Sequence, residues 1–383
     1  MDVMTRRGFL SQGAAAFGAF GFGLFGAGCS GGRGGAGRSY SVPVLGDIHF
    51  DSPDTKFYHA AYTHSTTKKR YKAHLAEHVR NAEMWKDRMP RLVRAFGACV
   101  RPDDAFALQM GDLVQGDCGK AATHRRMLDD AFSLVKGAYG GRLPLVVVAG
   151  NHDIRGDIKG DGALETMDEW LPKTMSGELG VPVDGTTFSF RQGPDVFIVV
   201  DFNEPRPKFA ELKRLLDESE DARYTFIVSH GPVIPSGETR WFLLGKAHRN
   251  AERRELRSLL ARRNAIALGG HTHKLELVDC ELPEGRITQF VFNSVWAKPE
   301  WSTEHVVGDG ASSYGRHSLS GGSGIQGSEE DKNTLVGEYG KYVRGYHYAR
   351  AAGHYRLEVS DERVAVAFYG GDATTPARTF TLR

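Results

Sequence analysis

From Arg38 onward, short apolar runs alternate with longer amphipathic stretches. Residues 40–45, 105–110, 145–149, 187–190, 196–200, 225–228 and 265–268 are mostly rich in β-branched or aromatic side chains and bounded by Gly, Asp, Asn or Ser. Each is expected to be a strand. Between them, residues 68–99, 121–137, 207–217 and 250–263 read as amphipathic helices. Strand–helix alternation of this kind predicts an α/β architecture. After His273 the pattern changes, and residues 275–282, 287–295, 354–359 and 363–369 read as strands with few helices between them. Residues 302–330 are Ser/Gly-rich without periodicity and are expected to form a long mobile loop. Past the N-terminus the apolar runs are strand-sized, so no membrane span is expected in the body of the chain.

The chemistry is concentrated at the strand ends. Five strands end at Gly46-Asp47-Ile48-His49, Gly111-Asp112, Gly150-Asn151-His152-Asp153, Ser229-His230-Gly231 and Gly269-Gly270-His271-Thr272-His273. Ligands of α/β sheets bind outside the carboxyl ends of strands, so these side chains can converge. Asp and His are borderline-hard donors that suit zinc, manganese or iron better than calcium or a copper thiolate site. Asp47 and His49, two apart on an extended segment, project the same way, as do His271 and His273. The Asp112 carboxylate can bridge two cations, and the Asn151 carbonyl can fill a neutral position. Seven such donors are too many for one tetrahedral ion. Any one motif alone is weak, because Gly-Asp after a strand is most often a turn. Five of them, each at a strand end, make a site.

In this order, Asp-x-His, Gly-Asp, Gly-Asn-His-Asp, His and Gly-His-x-His, the sequence closely resembles the calcineurin-like metallophosphoesterase family from about residue 41 to residue 295. The resemblance implies a four-layer α/β/β/α sandwich of the metallo-dependent phosphatase type. Residues 39–300 would form the catalytic domain, and strands of 301–383 would complete the sandwich. It implies two divalent or trivalent transition-metal ions, one held by Asp47, His49, Asp112 and His273 and the other by Asp112, Asn151, His230 and His271. His152 falls at the family's non-ligand catalytic histidine, and Asp153 at the carboxylate that orients it. The implied activity is hydrolysis of a small phosphoester through attack by a metal-bridging hydroxide. Leu113-Val114-Gln115 follow Asp112 where purple acid phosphatases carry an iron-ligating tyrosine, so that ligand is excluded. The long connection between Phe50 and Arg91 lies where the family builds substrate walls. A nuclease or cyclic-nucleotide diesterase would use the same motifs. A non-catalytic envelope binding lipoprotein is disfavoured because every ligand position is filled. No Gly-x-Ser-x-Gly elbow or Walker A loop is present.

Composition narrows the partners. The 383 residues carry 49 Lys+Arg against 47 Asp+Glu, and a net charge of +2 gives no electrostatic case for nucleic acid. With 40% hydrophobic residues the chain is not intrinsically disordered. Twelve of its 47 glycines precede Tyr40. There, Arg6 and Arg7 lead into a glycine-diluted apolar stretch resembling a twin-arginine export signal. Gly26-Ala27-Gly28-Cys29-Ser30 resembles a lipoprotein processing site, although Gly26 departs from the usual leucine-like residue. Residues 1–38 are therefore expected to be an export signal and Gly-rich tether, with the protein in the periplasm or cell envelope and Cys29 as an optional lipid anchor. Cys99, Cys118 and Cys280 form no CxxC pair and are expected to be buried free thiols.

The other titratable residues receive plainer expectations. His59, His64, His74 and His78 lie in or before a charged helix and should occupy a solvated face. His124, His248, His305, His317, His347 and His354 lack ligand spacing. Arg155 can contact phosphate through its guanidinium, but a surface arginine is the expectation. Replacing Arg6 and Arg7 with lysine should strand the protein inside the cell, as read by fractionation; continued export would refute the signal.

Overall fold

The computed structural model describes residues 39–62, 68–156, 161–203, 206, 208–235, 242–316 and 329–383. The expectations for residues 1–38, His64 and His317, and part of the 302–330 loop, lie outside them. In chain order the first strands are β1 (Tyr40–Leu45), β2 (Ala107–Gln109), β3 (Leu145–Val147), β4 (Phe188–Gln192), β5 (Asp195–Val200), β6 (Thr225–Ser229) and β7 (Ile266–Gly269). They are followed by β8 (Leu275–Leu282), β9 (Gly285–Val291), β10 (His305–Asp309), β11 (Val343–Arg350), β12 (Gly353–Val359), β13 (Val364–Gly370) and β14 (Arg378–Thr381). The helices are α1 (Lys56–His59), α2 (Lys68–Trp85), α3 (Arg88–Cys99), α4 (Ala121–Ala138), α5 (Ala163–Leu179), α6 (Phe209–Asp217), α7 (Asn250–Arg262) and α8 (Glu329–Tyr339).

The strands form two sheets, ordered β14-β13-β12-β1-β2-β3 and β10-β11-β8-β9-β7-β6-β5-β4. The apolar runs of β5 to β7 are continuous because both faces of that sheet are covered. Along β5, Phe197 and Val199 enter the core shared by the two sheets, while Val196, Ile198 and Val200 face a second core beneath helices. Phe226 and Val228 divide from Ile227 in the same way on β6. Helices α6, α7 and α8 contribute Leu212, Leu216, Leu256, Leu260, Leu335 and Tyr339 to that outer core. On the opposite side α3 packs on β1 and β12, and α5 packs on β3. The buried residues of α3, Met89, Leu92, Val93 and Phe96, recur at helical spacing. The result is the α/β/β/α sandwich. Residues Gly37–Arg383 cluster as one unit, with the segment after residue 300 supplying β10 and β11 to one sheet and β12 to β14 to the other.

Several local expectations change. The stretch 68–99 is two helices, broken at Lys86 and Asp87. Helix α5 carries Pro172 inside it, a residue that breaks a sequence pattern although the structure tolerates it here. The described part of the expected loop 302–330 contains β10, which is recruited by pairing with β11. Among the described residues no helix is long and apolar enough to cross a membrane. Cys118 and Cys280 are buried free thiols, whereas Cys99 is half-buried.

The strand that carries the first motif is held from below by a buried ion pair. Arg356 on β12, 1% exposed, binds Asp104, the Ser41 hydroxyl at 3.0 Å and the Cys99 carbonyl. Arg356 is paired with Pro43 of β1 in the ladder. Removing one partner of a buried pair leaves an uncompensated charge, costing about 3–5 kcal/mol. Arg356→Ala should destabilise the fold by about that amount and lower Tm in a thermal melt; an unchanged Tm would contradict the assigned role.

Candidate metal centre

Strands β1, β2 and β3 run parallel to one another, as do β5, β6 and β7. Their carboxyl ends deliver the five motifs to one place, where hydrogen bonds tie strand ends of one sheet to those of the other. The His271 N–H donates to the Asp47 carboxylate at 2.9 Å, and His230 Nδ1 donates to the Met110 carbonyl at 2.8 Å. That second bond fixes the His230 tautomer and leaves Nε2 as the lone pair directed into the site.

The turns are tight. Four of the converging residues, His49, Asp112, His271 and His273, have positive φ, between 43° and 71°. Non-glycine residues held there cost on the order of 1–3 kcal/mol each, and such strain persists where surroundings over-determine it. Glycine supplies the clearance. A Cβ on Gly150 would come within 2.1 Å of the Asp112 backbone nitrogen, and one on Gly270 within 2.5 Å of Asp47 Oδ1.

Two donor groups result. One donor atom from each of Asp47, His49, Asp112 and His273 lies within 4.8 Å of every other, and the same holds for Asp112, His230 and His271. Asp112 belongs to both. Its Oδ2 lies 3.1 Å from His230 Nε2 and 3.7 Å from His49 Nε2, while its Oδ1 accepts the His152 N–H at 2.7 Å. His49 Nε2 and His273 Nε2 stand 3.0 Å apart, and His271 Nδ1 is 3.1 Å from His230 Nε2. Asn151 immediately precedes His152 on the turn after β3, and its Oδ1 is buried without a hydrogen-bond partner.

These donors fit cations. Burial pushes the Asp112 and Asp47 carboxyls up, but the surrounding imidazoles, His230 foremost, together outweigh it and hold both below the usual range. Burial lowers His230 in turn, yet the two carboxylates raise it to about 10. The paired carboxylates thus demand a positive charge beside them, which a bound metal supplies in place of the proton. Burial lowers His49 to about 4 and His271 to about 3, keeping both imidazoles neutral donors.

The profile of calcineurin-like phosphoesterases matches residues 41–275. The chain belongs to that family. Membership implies a dinuclear metal site, in keeping with two donor groups that share a carboxylate. Among solved structures, a purple acid phosphatase from yellow lupin (Lupinus luteus) seeds is similar in fold, with a TM-score of 0.51 and 11% identity. The alignment covers 90% of this chain and 53% of the lupin one, so the chain spans about half that protein's length. A dimetal phosphatase from Danio rerio has a TM-score of 0.47 and 12% identity, over 90% of this chain and 99% of that one. No curated protein matches the sequence.

Other expectations need correcting. Asp153 does not touch the His152 ring: its carboxylate accepts the N–H groups of Gly150 at 2.8 Å and Val114 at 3.0 Å. It orders the turn instead, and burial together with the Asp112 charge raises it to about 7. His152 Nδ1 donates to the Gln115 carbonyl at 3.0 Å, and its ring stands edge-on to His49 with centroids 4.3 Å apart. His59, His74 and His78 are buried, not solvated. His124 is buried too, with Nε2 2.7 Å from the Asp153 carbonyl. Arg155 is no surface arginine; its side chain is only 15% exposed and paired with Asp117 and Glu77.

Sequence reasoning passed over a sixth strand end. After β5, Phe202 leans on the rings of His230 and His271, with centroids 5.3 and 5.2 Å away. Asn203 Nδ2 donates to the Gly150 carbonyl at 3.3 Å. The signal was there: Asp201-Phe202-Asn203 follows an apolar run as the other motifs do.

Purified protein reconstituted with manganese, zinc or iron should approach two ions per chain by elemental analysis. Asp112→Ala should lose more metal than His49→Ala, because only Asp112 stands in both donor groups. Equal losses would break the assignment of a shared ligand.

Proposed function

We propose that this chain hydrolyses a small phosphoester with two transition-metal ions, one held by Asp47, His49, Asp112 and His273 and the other by Asp112, Asn151, His230 and His271. The observation that carries the reading is the position of Asp112 Oδ2 between His230 Nε2 at 3.1 Å and His49 Nε2 at 3.7 Å, one imidazole from each group. Bound there, the cations supply Lewis-acid polarisation of the phosphoryl oxygens and activation of water.

The protein's own part is to hold and exclude. The His152 N–H occupies the second oxygen of Asp112 and so stops that carboxylate from turning. Phe202 covers His230 and His271 from one side and keeps bulk water from their rings. With its Nδ1 proton committed to Gln115, His152 has only Nε2 with which to hand on or take a proton. Its ring edge against His49 sets it beside the metal donors, where a departing oxygen needs neutralising. The net charge of +2 favours a small substrate over a polynucleotide. The N-terminal sequence supports work in the cell envelope after twin-arginine export, with Cys29 as a membrane tether.

Positioned acid catalysis is worth about 10²–10⁴-fold. His152→Ala should keep both metals yet lose roughly that factor in kcat on an alkyl phosphoester, and less on a nitrophenyl ester whose leaving group needs little protonation. A panel of mono-, di- and pyrophosphoesters with the metal-loaded protein tests the reading as a whole: turnover of none would overturn it.

A further inference from the structure

The long connection after β1 builds a second buried polar cluster beside the metal centre. On α2, His74, Glu77, His78, Asn81 and Trp85 follow helical spacing, so they share one face. That face is turned inward. Asn81 Nδ2 and Trp85 Nε1 both donate to the backbone carbonyl of His49, at 2.7 and 2.8 Å. One turn earlier, His78 Nε2 lies 3.2 Å from Asp117 Oδ2, and His74 Nδ1 lies 3.3 Å from the same oxygen. The His78 ring stacks on His59 at 3.9 Å, and His59 Nε2 is 3.0 Å from Asp51.

Arg155 links this cluster to the site. Its Nη2 lies 2.7 Å from Asp117 Oδ2 and 2.8 Å from Glu77 Oε2, and its Nη1 is 3.1 Å from His152 Nε2. The backbone is clasped as well, since the Asp117 N–H donates to the Arg155 carbonyl at 2.7 Å. Gly116 permits that approach, because a Cβ there would come within 2.4 Å of the His152 carbonyl oxygen. The guanidinium on Asp117 supplies the charge that oxygen requires, so the cluster is a brace and not a further cation site.

We propose that Arg155 is a positioning residue for His152, held in place by Glu77 and Asp117 so that the imidazole keeps Nδ1–H on Gln115 and presents its Nε2 lone pair to the guanidinium. The planar fork of arginine is needed because one side chain must reach three partners. Because the guanidinium sits on Nε2, the insertion reaches the His152 ring through Arg155. This inference rests on the phosphoesterase reading for its kinetic consequence, but not for its structural one.

The test has two readouts. Two-dimensional ¹⁵N–¹H spectra of the metal-loaded protein, with His152 assigned by difference from His152→Ala, should show one neutral tautomer protonated at Nδ1. Arg155→Ala should mix the tautomers, and Arg155→Lys should restore the single form only in part. Arg155→Ala should also lower kcat on an alkyl phosphoester about tenfold or more with both metals retained. It should add nothing on the His152→Ala background, because residues acting as a unit are non-additive. If Arg155→Ala does not fold, Glu77→Ala at the half-exposed end of the fork should give the same two signatures in weaker form. An unchanged tautomer, or a loss that adds in full to that of His152→Ala, would overturn the proposal. A single Nδ1–H tautomer that responds to Arg155, in a protein that turns over no phosphoester, would sink the phosphoesterase reading and leave the brace standing.

Discussion

Two buried carboxylates, Asp47 and Asp112, set the terms for the whole molecule. Neither is more than 1% exposed, and isolated buried charges of that kind are not tolerated without compensation. The imidazoles of His49, His230, His271 and His273 converge on them, and the strained turns at four of these residues are the consequence. Asp153 and the Gly150 turn hold the backbone in that shape, and Asn203 and Met110 secure it from the neighbouring strands. The sandwich is the frame that makes such an arrangement stable, since two apolar cores offset the desolvation and strain concentrated at one edge.

The same physics explains why the insertion is polar inside. A helix crossing near a cationic site could have packed with leucines. Instead α2 turns Glu77, His78, Asn81 and Trp85 inward, where they occupy the carbonyl of His49, the guanidinium of Arg155 and the carboxylate of Asp117. Networks of this kind are worth having only when nearly every member is satisfied, because the low local dielectric penalises an unpaired group. They fix orientation better than apolar packing does. A metal ligand needs that.

Family membership sets the class of chemistry, but the side chains packed around the site are this chain's own. Leu113, Val114 and Gln115 follow the carboxylate that stands in both donor groups, and the likeness to the lupin protein is one of fold alone. Beside the donors, Gln115, His152 and Arg155 are hydrogen-bonded in a row, two of them presented by the Gly-Asn-His-Asp turn and its continuation.

The motifs were legible in the sequence because each is local: an apolar strand, a glycine, then a donor, all within a few residues. Strand identity, the α/β pattern and the Asp and His residues that converge come from that adjacency and the period-two alternation of strands. The features that tertiary structure decided depend on partners far apart in the chain. Strand β10 is a Ser/Gly-flanked run that gains its state by pairing with β11, about forty residues on. His78 looks solvated in a charged helix until Asp117, 39 residues away, is folded against it. Asp153 looks placed to hold its neighbour His152, yet hydrogen bonding sends it to Val114 and Gly150. Periodicity records which face of a helix is apolar. It cannot record that a polar face is buried, because burial of charge is decided by the opposite charge that arrives from elsewhere in the fold.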